Sequence, residues 1–149
     1  MQLVMLSEAS QMFHVLRRQA LRSLRRPLVI FMSKRLLRFK DSMSPLENFT
    51  ENSEFRPLIG DVVPRKDNNS VKRIILCAGQ VYYDLAAARE ERKLLDDIAI
   101  VRVEQLYPFP YEEIQAELAK YPNAKEVMWA QEEPRNQGAF HQIRHRIER

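Results

Sequence analysis

Between residues 71 and 149 the chain alternates strand-type and helix-type patterns three times, and no other feature restricts its fold as tightly. The apolar runs Ile74–Ile75–Leu76, Ile98–Ala99–Ile100–Val101 and Val127–Met128–Trp129–Ala130 are continuous rather than alternating. Continuous runs suit parallel strands covered on both faces. They define strands over 71–78, 98–103 and 126–131, followed by helices over 80–94, 111–120 and 138–149. Strands joined by helix-length connections run parallel, with right-handed crossovers. The expected fold class is therefore α/β, a three-layer parallel sheet.

The first forty residues form a smaller pattern. Gln2 to Leu6 reads as the end of a strand, with Ser7 as N-cap and Glu8 in the first turn of a helix. Ala9, Met12, Phe13, Leu16, Ala20 and Leu24 recur at helical spacing and predict an apolar stripe over 8–24. Pro27 closes the helix region, and Leu28 to Met32 reads as a buried strand. Residues 41–70 lose all periodicity. Pro45, Pro57, Gly60 and Pro64 break them, and Leu46, Phe49, Phe55, Leu58 and Ile59 are scattered anchors. The expected division is a strand–helix–strand remnant over 1–40, a surface linker over 41–70 and an α/β unit over 71–149. Because the first segment opens within a strand and the last helix runs to Arg149 with no closing strand, both ends are expected to be cut.

Composition removes several chemistries. Cys77 is the only cysteine, so neither an intrachain disulfide nor a cysteine-based zinc site can form. With three glycines, Gly60, Gly79 and Gly138, the chain cannot hold a GxGxxG or Walker A phosphate cradle. No apolar run approaches the roughly 20 residues of a membrane span. Of 24 basic and 20 acidic residues, nine and one fall within 1–40. That block could serve a nucleic-acid module, but a basic patch alone is non-specific, so no nucleic-acid partner is expected. Its strand-like continuation also argues against a transit peptide. His141 and His145 stand four apart on a helix without a third ligand, and His14 reads as packing or surface. Tyr82, Tyr83, Tyr107, Phe109 and Trp129 are spread over several elements, unlike a base-stacking platform. In open parallel sheets, sites lie beyond the carboxyl ends of strands. Those ends are Cys77–Ala78–Gly79, Glu104–Gln105 and Gln131–Glu132–Glu133, and their carboxylates are expected to pair with Arg102, Arg135 or a neighbouring subunit.

Several segments resemble a known family in order. They are Phe13–His14–Val15–Leu16–Arg17–Arg18–Gln19, Arg26–Pro27–Leu28–Val29 and Met32–Ser33–Lys34–Arg35–Leu36–Leu37–Arg38. Cys77–Ala78–Gly79–Gln80–Val81–Tyr82–Tyr83–Asp84–Leu85 follows. Then come Val101–Arg102–Val103–Glu104–Gln105–Leu106–Tyr107–Pro108–Phe109–Pro110 and Trp129–Ala130–Gln131–Glu132–Glu133–Pro134–Arg135–Asn136–Gln137–Gly138–Ala139. Together they resemble the C-terminal region of the thiamine-dependent decarboxylating component of 2-oxoglutarate dehydrogenase complexes.

The resemblance implies that residues 1–40 end a pyrimidine-binding domain and 71–149 begin a transketolase-type C-terminal domain, which in the family continues for another strand and helix. It implies oxidative decarboxylation of 2-oxoglutarate in the tricarboxylic acid cycle and succinyl transfer to a dihydrolipoyl succinyltransferase core. The family enzyme is a homodimer in the cytoplasm, or in the mitochondrial matrix of a eukaryote, and uses thiamine diphosphate and magnesium. Its Gly-Asp-Gly motif and catalytic groups do not occur here, so no catalytic, cofactor-binding or metal residue is carried over. This chain alone is expected to bind no cofactor and catalyse nothing. Its implied role is support and dimer contact, with Arg102, Glu104, Glu132 and Arg135 as candidate interface or allosteric contacts. A free-standing α/β interaction or regulatory module and a basic nucleic-acid binder are the alternatives.

Overall fold

A computed structural model describes residues 1–65 and 67–147. The three β–α repeats form as expected: β4 (Arg73–Cys77), α2 (Val81–Glu91), β5 (Ile98–Val103), α3 (Tyr111–Leu118), β7 (Glu126–Ala130) and α4 (Phe140–Ile147). The first segment gives β1 (Gln2–Met5), α1 (Ala9–Leu21) and β2 (Leu28–Phe31). Two short strands were not anticipated, β3 (Leu58–Ile59) and β6 (Gln105–Tyr107).

The larger sheet has the order β3-β5-β4-β7. β4 pairs in parallel with both β5 and β7, Ile75 lying opposite Ile100 on one side and Met128 on the other. The parallel expectation holds for those three strands, whereas β3 adds an antiparallel edge. That edge lies inside the supposed linker. Ile59 is buried there, and pairing with β5 satisfies backbone groups that burial would otherwise strand.

Helices cover both faces of β4 and β5, giving three layers, whereas the edge strand β7 departs from the expected double cover, with Val127 and Met128 exposed. Ile74, Leu76, Ala99, Val101 and Val103 pack on one face with Ile114 of α3 and Ile143 of α4. Cys77 and Ile100 face the other way, beneath Tyr82 of α2. Because β5 lies to one side of β4 and β7 to the other, the two crossovers run in opposite directions, and right-handedness sends their helices to opposite faces.

The smaller sheet has the order β2-β1-β6, with β1 parallel to β2 and antiparallel to β6. Residues 105–107 turn straight out of β5 into this second sheet, so the first and last segments share hydrogen bonds.

α1 departs from its expected orientation. Its buried residues are Ser10, Gln11, His14 and Val15, while Phe13 and Leu16 of the expected stripe are 43% and 51% exposed. The reason lies in residues 44–56, which carry one short 3₁₀ turn but no strand. Their polar groups need partners, and α1 supplies them. The Ser10 N–H donates to Ser44 Oγ at 3.0 Å, and Gln11 Nε2 donates to the Arg56 carbonyl at 2.6 Å. His14 Nε2 lies 2.7 Å from the Asn48 carbonyl. Hydrogen bonding to an irregular segment overrides the hydrophobic stripe. Ser7 does not cap the helix either, because Glu8 occupies that position and the Ser7 side chain turns to Glu104.

Leu76 is fully buried at the centre of the larger sheet. Leu76→Ala should lower the unfolding free energy by about 2–5 kcal/mol through lost burial and a residual cavity. Urea midpoints measure this, and a loss below about 1 kcal/mol would mean the interior is not packed as described.

Candidate functional site at the joint between the sheets

The polar residues at the end of β5 meet the β1–α1 turn in a closed cluster. Glu104 is fully buried and accepts the Ser7 N–H at 3.0 Å and the Ser7 hydroxyl at 2.5 Å. Arg102 Nη1 donates to Ser7 Oγ at 3.0 Å and to Glu8 Oε2 at 2.9 Å. The Arg102 guanidinium lies 4.3 Å from the Tyr82 ring centroid, where the electron-rich face favours a cation. Tyr83 donates its hydroxyl to the Ser7 carbonyl at 2.7 Å. Gly79 starts the turn that presents these tyrosines; its φ of +70° and a would-be Cβ 2.9 Å from Met5 Cε leave room for glycine alone. Burial pushes the Glu104 carboxyl up to about 7, against the lowering effect of the Ser7 hydroxyl and Arg102.

A second buried cluster fastens residues 61–65 to β5 and α2. Asp61 accepts Arg65 Nη2 at 2.7 Å, Arg89 Nη1 at 2.5 Å, the Ile100 N–H at 2.9 Å and the Val63 N–H at 3.1 Å. Burial alone would raise its pKa, but the hydrogen bonds from Arg89, Arg65 and the two backbone N–H groups outweigh it and hold the carboxyl below its ordinary value.

The expected contact residues thus divide. Arg102 and Glu104 come together inside the joint. Glu132 and Arg135 are exposed beyond β7, where Gln80 donates to Glu132 and the Arg135 guanidinium lies 5.4 Å from the Phe140 ring. Near them Gln131 organises the loop, accepting Trp129 Nε1 and the Phe140 N–H, both at 3.0 Å. A groove of about 760 Å³ opens beside this loop, bordered by Met5, Met32, Tyr107, Trp129 and Ile143. Ser7, Glu8, Asp61, Arg65 and Arg89 were missed. Apart from the Asp61–Arg65 pair four positions apart, each depends on a partner 28 to 97 positions away, which no local spacing reveals.

These donors do not suit a magnesium–diphosphate group. Asp61 spends both oxygens on four N–H donors, and Glu8 is shared between Arg56 and Arg102. Among the described residues no three His, Cys, Asp or Glu side chains cluster as metal ligands.

The family model described as 2-oxoglutarate dehydrogenase C-terminal matches residues 43–149. The chain belongs to that family. It is 52% identical over 139 residues to the 2-oxoglutarate dehydrogenase E1 component of Coxiella burnetii, covering 93% of this chain and 15% of the relative. The corresponding protein of Cupriavidus necator is 48% identical over 147 residues, covering 99% and 15%. The mitochondrial 2-oxoglutarate dehydrogenase of Caenorhabditis elegans is 44% identical over 139 residues, covering 93% and 13%. The chain therefore spans about one seventh of the length of these enzymes.

In this C-terminal domain the Asp61 cluster carries a defined cost. Asp61→Ala leaves two guanidinium groups buried without their carboxylate and should destabilise by about 3–5 kcal/mol. Because the folded pKa lies below the ordinary 3.8, the stabilisation from Asp61 is fully present above that value and lost as pH falls through the folded one. Guanidinium chloride unfolding at pH 7 and pH 3 measures both effects. A variant matching wild type at pH 7 would contradict the arrangement.

Proposed function

We propose that this chain serves as the C-terminal part of a 2-oxoglutarate dehydrogenase decarboxylating component. The single observation that carries this reading is the match of 107 consecutive residues, 43–149, to the family's C-terminal model. On this reading, residues 1–40 close a pyrimidine-binding domain, 41–70 link it onward, and 71–149 belong to a transketolase-type domain. The parent enzyme decarboxylates 2-oxoglutarate in the tricarboxylic acid cycle and passes the succinyl group to lipoyl groups on a dihydrolipoyl succinyltransferase core. It works as a homodimer in the cytoplasm, or in the mitochondrial matrix of a eukaryote. No helix among the described residues is long and apolar enough to cross a membrane.

The chain's own contribution is structural. Its polar clusters turn inward and join elements to one another, and its donor sets suit no magnesium–diphosphate group. Thiamine diphosphate and magnesium bind elsewhere in the parent, whose other residues hold the cofactor and form the reaction centre. Arg102 and Glu104 act by fixing the joint, whereas the exposed Glu132 and Arg135 are placed for contact with a subunit or effector. The outward Phe13, Leu16 and Leu24, the last 65% exposed, present an apolar face of the kind that meets another protein surface.

A chimera tests this reading. The matching segment of the Coxiella burnetii enzyme is replaced by residues 43–149 of this chain. The chimera should keep 2-oxoglutarate-dependent activity within about tenfold of its parent, about 1.4 kcal/mol in the barrier. A soluble chimera of native assembly state with no activity would sink the reading. Separately, titration calorimetry of the present chain with thiamine diphosphate and magnesium should show no saturable heat, and a saturable heat would overturn the structural role.

A further inference from the structure

Beyond the carboxyl ends of β4 and β7 lies the groove of about 760 Å³, a volume within the range of small-molecule sites. These strands are neighbours, yet α2 follows β4 on one face of the larger sheet and α4 follows β7 on the other. Diverging helices leave a crevice at the strand ends, where open α/β sheets take their ligands. The smaller sheet supplies a second wall through Leu3, Met5 and Phe31.

The border of this crevice has a distinct chemistry. Phe31, Tyr107 and Trp129 meet there from β2, β6 and β7, and the first two are about half exposed. Glu132 and Glu133 share the border, and neither forms an ion pair among the described residues. Gln131 holds the loop that bears them. Its Nε2 donates to the carbonyls of Glu133, Pro134 and Gln137 at 3.0, 3.2 and 2.8 Å. Arg146 also borders the groove, but it is committed to its own helix and to α3. Its Nε donates to the Gln142 carbonyl and its Nη1 to the Tyr111 hydroxyl, both at 2.9 Å.

We propose that this groove binds an organic cation, a substituted ammonium that carries an apolar body. The faces of aromatic rings are electron-rich and attract such a cation. Glu132 and Glu133 add a charge attraction, and no protein cation has to leave them first. The unbranched side chains of Met5 and Met32 adapt to the apolar body. A neutral molecule of the same shape gains the apolar burial alone. An anion, a diphosphate included, is repelled by the two carboxylates. Such binding is independent of the parent's activity, so its failure would leave the role proposed above standing.

Trp129 is the chain's only tryptophan, so its fluorescence reports on the groove directly. The intact 149-residue chain is titrated with benzyltrimethylammonium, with dimethylbenzylcarbinol as its neutral counterpart of matching shape, and with benzenesulfonate. The ammonium should give a saturable change and bind about five- to thirtyfold tighter than the carbinol, and the sulfonate should give no change. Replacing both carboxylates, Glu132→Gln with Glu133→Gln, should remove most of that preference. Phe31→Leu should weaken the ammonium about threefold and leave the sulfonate without effect. Equal affinity for ammonium and carbinol, or a preference kept in full by the double variant, would overturn the proposal. So would a fluorescence change that follows protein concentration rather than ammonium, because a second copy would then fill the groove. If the double variant does not fold, salt decides: in the wild type the preference should shrink between about 20 and about 300 mM sodium chloride, and a preference indifferent to salt refutes the site.

Discussion

The two sheets hold together because residues 41–65, which pair with others only at β3, must still satisfy a backbone that they partly bury. Four neighbours supply that need. Ser10, Gln11 and His14 of α1 meet Ser44, Arg56 and Asn48. Leu58 and Ile59 pair with Val103 and Arg102. The Pro57 carbonyl takes the N–H groups of both Glu104 and Gln105. Asp61 then closes the segment against α2 and β5. A buried backbone group without a partner costs about as much as a lost hydrogen bond, so each of these contacts is obligatory once its neighbours form. The irregular segment is the mortar of the structure, and the regular elements are oriented by what it requires.

The same constraint explains why two buried carboxyl groups shift in opposite directions. Asp61 receives two guanidinium groups and two backbone N–H groups, and its charge is compensated several times over. Glu104 receives a hydroxyl and one N–H, while the nearest guanidinium is committed to Glu8. Burial disfavours both anions, and direct bonding to cations decides which way each group shifts. Asp61 therefore works as an ionic rivet at neutral pH. Glu104 has no such cation bonded to it, and burial moves it the other way.

Legibility in the sequence followed how local each determinant is. The repeats over 71–149 could be read because continuous apolar runs such as Ile74–Leu76 carry the signature of a doubly covered strand within three or four residues. β6 could not, since Gln105–Leu106–Tyr107 is a strand only where β1 stands beside it. Helix α1 could be placed but not oriented. Its apolar spacing is genuine, yet Gln11 and His14 are held inward by partners more than thirty positions away. Of the candidate site, Arg102 and Glu104 could be flagged as charged residues at a strand end. Their partner Ser7 read as a helix cap, because a serine before a helix is ordinarily explained by the helix itself.

That inversion sets α1 apart from an ordinary surface helix. A surface helix ordinarily buries its apolar stripe and turns its hydrogen-bonding residues outward. Here α1 does the reverse, and Phe13 packs edge-on against Phe49, 5.6 Å between centroids, while both retain contact with solvent. Polar residues inward fix the geometry of the joint, and apolar residues outward leave a surface whose burial would release water over a broad face. The same division recurs at the groove beside β7, where Met5, Met32 and Trp129 line the walls and Gln131 ties the loop at the rim. Unbranched methionines adapt to whatever shape is pressed on them, so such a wall accommodates a packed neighbour without demanding one fixed contour. Internal rigidity is therefore supplied by directional bonds, and the outward apolar surfaces impose little direction of their own.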